Sequence, residues 1–384
     1  TVNANTSDGL GRGGGGIYGD HNTIQQNNVT GNTAHAGSGI YAYYSTATAN
    51  TILSNTTHTD GALYVNDGTA TQNMVRGNTS VNGGGIYGEQ ASLIANTVIS
   101  NTAQTDGGGI YATQSTLQAN TVEDNTAQNN GGGIYADEGT LTNNTVSGNT
   151  VPAWGHGSGV YLVDEADFSY NNVLTNTAPG GTSGGISIDG QPQIHYNNLY
   201  DNQPYDVEVV SADNASGTLD YWGPSTCTAI PGQIYDGNDM PGRGQLLYAP
   251  SLYSPVPLAQ LSAPTNLTIA TDESATTLTW TPIPSIPDVG CHPPGHAGSD
   301  IGYRVHYNVT NPCPPYVGEG LDQGDSPIDV GQATSLTLSG FSTGDYYFVL
   351  TAYDYLERES KFSNQVMKPS GQHEIYIPLI LKNW

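Results

Sequence analysis

The stretch GGGIYADEGTLTNNTVSGNT, Gly131 to Thr150, is spelled out with small changes many times along the chain. Aligning on the Ile of Gly-Gly-Gly-Ile-Tyr brings Ile17, Ile40, Leu63, Ile86, Ile110, Ile134, Val160 and Ile186 into register, at successive spacings of 23, 23, 23, 24, 24, 26 and 26. An Asn follows each, at Asn27, Asn50, Asn73, Asn96, Asn120, Asn144, Asn171 and Asn197. Two residues further on comes an aliphatic, Val29 through Leu199. A second Asn closes the motif at Asn32, Asn55, Asn78, Asn101, Asn125, Asn149, Asn176 and Asn202.

A period this short, with Gly turns and β-type segments, cannot hold a pair of helices. It fits one coil of a right-handed parallel β-helix, with about three short strands per coil stacked at roughly 4.8 Å. Aliphatics then point inward, and the Asn columns read as ladders in which each amide bonds its copies above and below. The glycines are expected where φ is positive or backbones approach closely. Neighbouring strand residues point to opposite faces, so the residue after each inward Ile faces out. Tyr18, Tyr41, Tyr64, Tyr87, Tyr111, Tyr135 and Tyr161 should therefore form an external aromatic column, broken at Ser187. The opening TVNANT matches the end of a later coil, so the reading expects the sequence to begin inside a coil, with upstream residues or another cap beyond it.

These repeats resemble the secreted pectate-lyase-like β-helix superfamily. More narrowly, GGGIY and VSGN are similar to the repeats of polymorphic outer-membrane proteins, with Val or Ile in place of Phe before the second Asn. The resemblance covers about residues 1–250 and implies the fold more than an activity, because β-helices host both enzymes and adhesins. Residues 251–262 form a Pro-rich linker. Residues 263–369 alternate apolar and polar between turns, as a β-sandwich does, and closely resemble a fibronectin type III domain. Trp280 matches that family's core Trp, Tyr346 its tyrosine corner, and Ser363-Asn364 the pair before the last strand. A Pro-rich insertion holds Cys291 and Cys313, which are expected to pair as a local disulfide. The apolar tail, residues 370–384, offers Ile375, Tyr376, Ile377, Leu379, Ile380 and Leu381 either as an edge strand on its own sandwich or as a strand donated to a partner.

The formal net charge of −26 opposes nucleic acid and anionic membranes, and no apolar run is long enough to cross a bilayer. Sparse Lys and abundant Asn-Thr suit a mature secreted protein at the cell surface. Lyase chemistry on this fold needs Arg or Lys beside Asp-bound calcium; the repeat region offers only Arg12, Arg76 and Arg243, none in an acidic run. Hydrolysis needs two carboxylates on one face, and Asp137 and Asp164 on neighbouring coils are the candidate catalytic pair beside the solvated-surface alternative. GHGSG, Gly155 to Gly159, is similar to the Gly-His-Gly of polygalacturonases, but the repeat itself accounts for it. No metal-ligand spacing links the His residues. No cofactor is expected, with Ca2+ left open at DGNDMPG from Asp236, which lacks the closing Glu of a calcium loop.

The coils nearly lack the loops that build enzymatic clefts. The reading favours a non-enzymatic surface protein, adhesive or a filament subunit, that self-associates or meets another surface protein through its tail or helix ends. The alternatives are a polysaccharide-active enzyme and a glycan-binding protein that uses the tyrosine column.

Overall fold

The computed structural model describes residues 2–6, 14–223, 228–249, 251–252, 255, 263–272, 275–283, 301–353 and 359–370. They fall into two compact units, the first drawn mainly from the chain up to Leu258 and the second mainly from Ala259 onward.

The first unit is a parallel β-helix. A typical coil runs through Ile86–Glu89, Ser92–Ile94, Thr97–Ile99 and Thr102–Ala103. Each of these strands pairs in parallel with its copies one coil before and one coil after. Stacking produces a 17-stranded, a nine-stranded and a five-stranded sheet. The coil therefore has four short strands rather than about three, because its longest face is broken by a corner. In the coils at Ile110–Gln118, Ile134–Thr142 and Val160–Ser169 that face runs on as one strand.

Corners are made by left-handed residues. In the coil just described these are Gln90, Ala95 and Ser100, with φ of 49°, 53° and 55°. They are not glycines. The chain accepts that local cost because the residue after the second and third corners is a ladder Asn, whose hydrogen bonds over-determine the turn. The triple glycine is needed for two different reasons. Gly131 has φ of 62°. Gly132 and Gly133 have no room for a side chain, since a Cβ would stand 2.5 Å from the Ser158 carbonyl oxygen and 2.6 Å from that of Gly159 respectively. A Gly133→Ala variant is expected to lose about 2 kcal/mol of stability through overpacking, measured by urea unfolding; no loss would mean that the coils can separate locally.

The Asn columns are ladders with a direction. Asn101 donates its backbone N–H (2.8 Å) and one Nδ2 hydrogen (3.0 Å) to Oδ1 of Asn125, and its other Nδ2 hydrogen to the Val75 carbonyl (3.0 Å). Asn125 repeats this toward Asn149 and Val98. Every donor and acceptor of a buried rung is thus used, which is what burial of an amide requires. Between the ladders the inward aliphatics, including Val29, Ile52, Val75, Val98, Val122 and Val146, are fully buried in one continuous core.

Both ladders end in an acid. Asn197 donates its N–H (2.7 Å) and Nδ2 (3.0 Å) to Oδ1 of Asp220. Asn202 does the same to Oδ1 of Asp206, at 2.9 and 2.8 Å. A final rung has no rung beyond it to receive a donated hydrogen, and an Asp carries no amide to donate.

The second unit has a three-stranded sheet of Thr265–Thr271, Thr276–Thr281 and Ser335–Leu338. A four-stranded sheet joins Ile328–Gly331, Gly302–Val309, Tyr346–Tyr353 and Val366–Lys368. All pairings within these sheets are antiparallel. Trp280, Tyr346, Phe348, Leu350 and Ala352 share one buried cluster. The Tyr346 hydroxyl accepts the Ser342 N–H at 2.9 Å, and Asn364 exchanges hydrogen bonds with the Leu267 backbone. Cys313 is exposed. Cys291 and the tail residues Ile375, Tyr376, Ile377, Leu379, Ile380 and Leu381 lie outside the described residues.

Candidate functional site

The face that carries the tyrosines is the most distinctive surface of the β-helix. Register places Tyr18 beside Tyr41, and so on through Tyr64, Tyr87, Tyr111 and Tyr135 to Tyr161, whose next partner is Ser187. The rings stack face to face with centroids 4.5 to 5.6 Å apart, and the three central steps are within 4° of parallel. The stack covers the ring faces, so what solvent meets is a ridge of ring edges and hydroxyls. Exposure falls from 46% at Tyr18 to 6% at Tyr41 and 7% at Tyr161.

Carboxylates flank the ridge. Tyr161 donates to Asp189 at 2.8 Å and Tyr64 to Glu89 at 3.2 Å. Burial, reinforced by neighbouring negative charge, pushes the phenols of Tyr64, Tyr87, Tyr135 and Tyr161 upward, so these four stay protonated at every ordinary pH. Each stacked pair adds about 0.5–1.5 kcal/mol beyond area burial, which makes the column a stabilising element whatever else it does.

Asp137 is paired with Val163, not with Asp164, and the register slips between Asp137 and Gly139. Asp164 sits in that irregularity at φ 53°. Burial pushes the Asp137 carboxyl upward, with the charges of Asp164 and Glu138 adding to it. Asp164 lines an open groove of about 590 Å³ together with Glu138, Glu165 and Asp213. Gly139, Gly190 and Gln191 complete its lining.

Where the tyrosine column stops, an ionic knot replaces it. Glu208, fully buried, accepts from Arg243 at 2.6 Å and Thr182 at 2.8 Å through one oxygen, and from Ser187 at 2.8 Å through the other. His156 Nδ1 lies 2.9 Å from that second oxygen. Burial alone would raise the Glu208 carboxyl, but the hydrogen bonds and charge of His156 and the bonds from Arg243 and Thr182 hold it down at about 2. His156 thus has a structural partner, and Ser187 is buried inside the knot. Sequence reading placed His156 in the repeat and noted Arg243, but missed the pairing of Arg243 with Glu208, which lie 35 residues apart and outside the regular period.

The calcium candidate closes a turn. Both oxygens of Asp236 accept backbone N–H groups, from Asn238 (2.8 Å) and Leu246 (2.9 Å). Among the Asn-x-Ser/Thr triplets, Asn55 and Asn78 are buried rungs, whereas Asn28, Asn143, Asn214 and Asn266 are exposed.

Stacked coils, two amide ladders and a tyrosine ridge define a parallel β-helix repeat protein. Within that class, a family described as NosD, periplasmic copper-binding protein, matches residues 21–238, more than half of the chain, and the chain belongs to that family. No curated protein matches it. Copper sites are built from converging His, Cys or Met donors. Among the described residues no group of three or more His, Cys, Asp or Glu side chains can hold a metal ion, so those residues do not fit the metal in the family's description. No helix among them is long and apolar enough to cross a membrane.

Proposed function

We propose that this chain is a non-enzymatic structural or adhesive protein that works outside the cytoplasm, in the periplasm or at the cell surface, and joins to copies of itself or to another surface protein. The observation that carries the reading is the pair of ladders, which pass from coil to coil as far as Asn202 and Asn197. A family described as periplasmic supports the location. The second unit is read as a fibronectin type III domain, a spacer in such proteins; its three-plus-four antiparallel sheets and the Tyr346 to Ser342 bond support that reading.

Assembly is assigned to residues 372–384. Light-scattering mass and electron microscopy of the chain with and without them should give filaments or oligomers that disappear on deletion. A monomer in both forms overturns the assembly reading. Release of reducing sugar from neutral polysaccharides, lost in Asp137→Asn, would overturn the non-enzymatic one. A glycan-binding ridge is the weaker alternative, since the ring faces that would stack on sugar are already covered. Binding abolished by Tyr87→Ala, Tyr111→Ala and Tyr135→Ala together would restore it.

A further inference from the structure

Tyrosine is among the few side chains that surrender a single electron to a strong oxidant, and its phenol sheds a proton as it does so. The rings from Tyr18 to Tyr161 form one unbroken column of such groups in van der Waals contact, with no centroid step longer than 5.6 Å. Electron exchange between touching rings is fast, so an electron vacancy made anywhere in the column can sample all of it. Where it rests depends on where a proton can leave.

The two ends differ in that respect. Tyr18 is 46% exposed, with its outer ring edge open to a reagent in solution. Tyr161 is 7% exposed and donates to Asp189 at 2.8 Å, a phenol already aligned with a base. Tyr64 has a poorer acceptor, since its bond to Glu89 is 3.2 Å and the same oxygen takes 2.8 Å from Asn66 Nδ2. Charge-assisted bonds gain steeply as they shorten, so Tyr161 is the better resting place. Beyond it the column stops, because Ser187 replaces the next ring.

We propose that the tyrosine column is a one-electron relay, which takes oxidising equivalents from a diffusible one-electron oxidant at its exposed end and settles them on Tyr161. The oxidant gains one electron from the column. Each ring is refilled by its neighbour until Tyr161 has given up the electron, and the Tyr161 phenolic proton passes to the Asp189 carboxylate. The products are the singly reduced oxidant, a neutral Tyr161 phenoxyl radical and a neutral Asp189 carboxylic acid.

The test is flash oxidation of the full chain with photogenerated tris(bipyridine)ruthenium(III), frozen and read by electron paramagnetic resonance. Tyr161→Phe should abolish the signal of that shielded ring and leave a shorter-lived one on Tyr64, the next phenol bonded to a carboxylate. Tyr111→Phe keeps the ring and the stacking but cannot be oxidised, and it should move the signal to the Tyr18 side of the break. Asp189→Asn should shorten the lifetime of the radical without changing the fold. A merely structural stack makes the opposite prediction: the signal follows exposure, resides on Tyr18, Tyr44 and Tyr170, and is indifferent to Tyr161→Phe and Tyr111→Phe. That outcome overturns the relay.

Discussion

Asp206→Asn is expected to raise the stability of the β-helix at about pH 8 by about 3 kcal/mol, and to change it little at about pH 4. Asp206 is 2% exposed and ends the second ladder, so its carboxylate is held among amides with no cation to compensate it. Burial pushes its pKa up to about 6; the hydrogen bonds from Asn202 work against that rise and the negative charge of Asp201 adds to it. An acid whose folded pKa is raised gives its full stability below the unfolded value, near 4, and loses it as pH climbs through the folded one, near 6. Wild-type protein should therefore melt lower as pH rises across that window, and the Asn variant should lose less. Asp220, fully buried, accepts from Asn197 through one oxygen while the other has no partner, and burial raises its pKa well above the usual carboxylate value. Asp220→Asn should extend the effect to higher pH. Thermal melts from about pH 4 to 8 decide the matter: wild-type stability that rises with pH across this range would refute the assignment of these acids as neutral ladder ends.

Neither terminal acid was visible from the repeat. The register that aligns Ile17 through Ile186 steps by 23 to 26 residues. The structure next pairs Ile186 with Val207, only 21 on, and Val207 with Ile234, 27 on. Period-based reading therefore lost the chain where the ladders end. The same irregularity hid the Glu208 and Arg243 knot, whose members meet only because the last coils bring them together. What regular spacing could convey it conveyed well: the inward aliphatics, both Asn columns and the tyrosine column all stand where the spacing put them. The corner chemistry was less legible, because left-handed φ at Ala95 and Ser100 is imposed by the ladder bonds and not by the preference of those residues. The ring faces offered a further lesson. Alternation says that a side chain points outward, but not that its copies on either side will cover it. The site residues in the tail and Cys291 fall outside the described residues, and the tail is what the deletion experiment addresses.

The largest loss should come from Asn101→Ala in the middle of a ladder. Asn101 is about as buried as any rung, and its amide serves three partners. Removing it strands the Asn78 N–H and Nδ2, which both donate to Asn101 Oδ1 at 3.0 Å. It also takes one donor from the Val75 carbonyl. Each buried polar group left without a partner costs about 1–3 kcal/mol, so the variant should lose about 4–6 kcal/mol. Asn101→Asp separates shape from chemistry. Its carboxylate keeps the size of the amide and still accepts from Asn78, yet it has no hydrogen to give to Asn125 Oδ1 or Val75 O, and it places two acceptors against each other. It should therefore be nearly as destructive as alanine at about pH 7, although Asp at the matching column position is what ends the ladder at Asp206. Urea midpoints for Asn101→Ala, Asn101→Asp and Asp206→Asn give the comparison. If Asn101→Asp unfolds within about 1 kcal/mol of wild type, the ladder has no direction, and the reason for an acid at its end is lost with it.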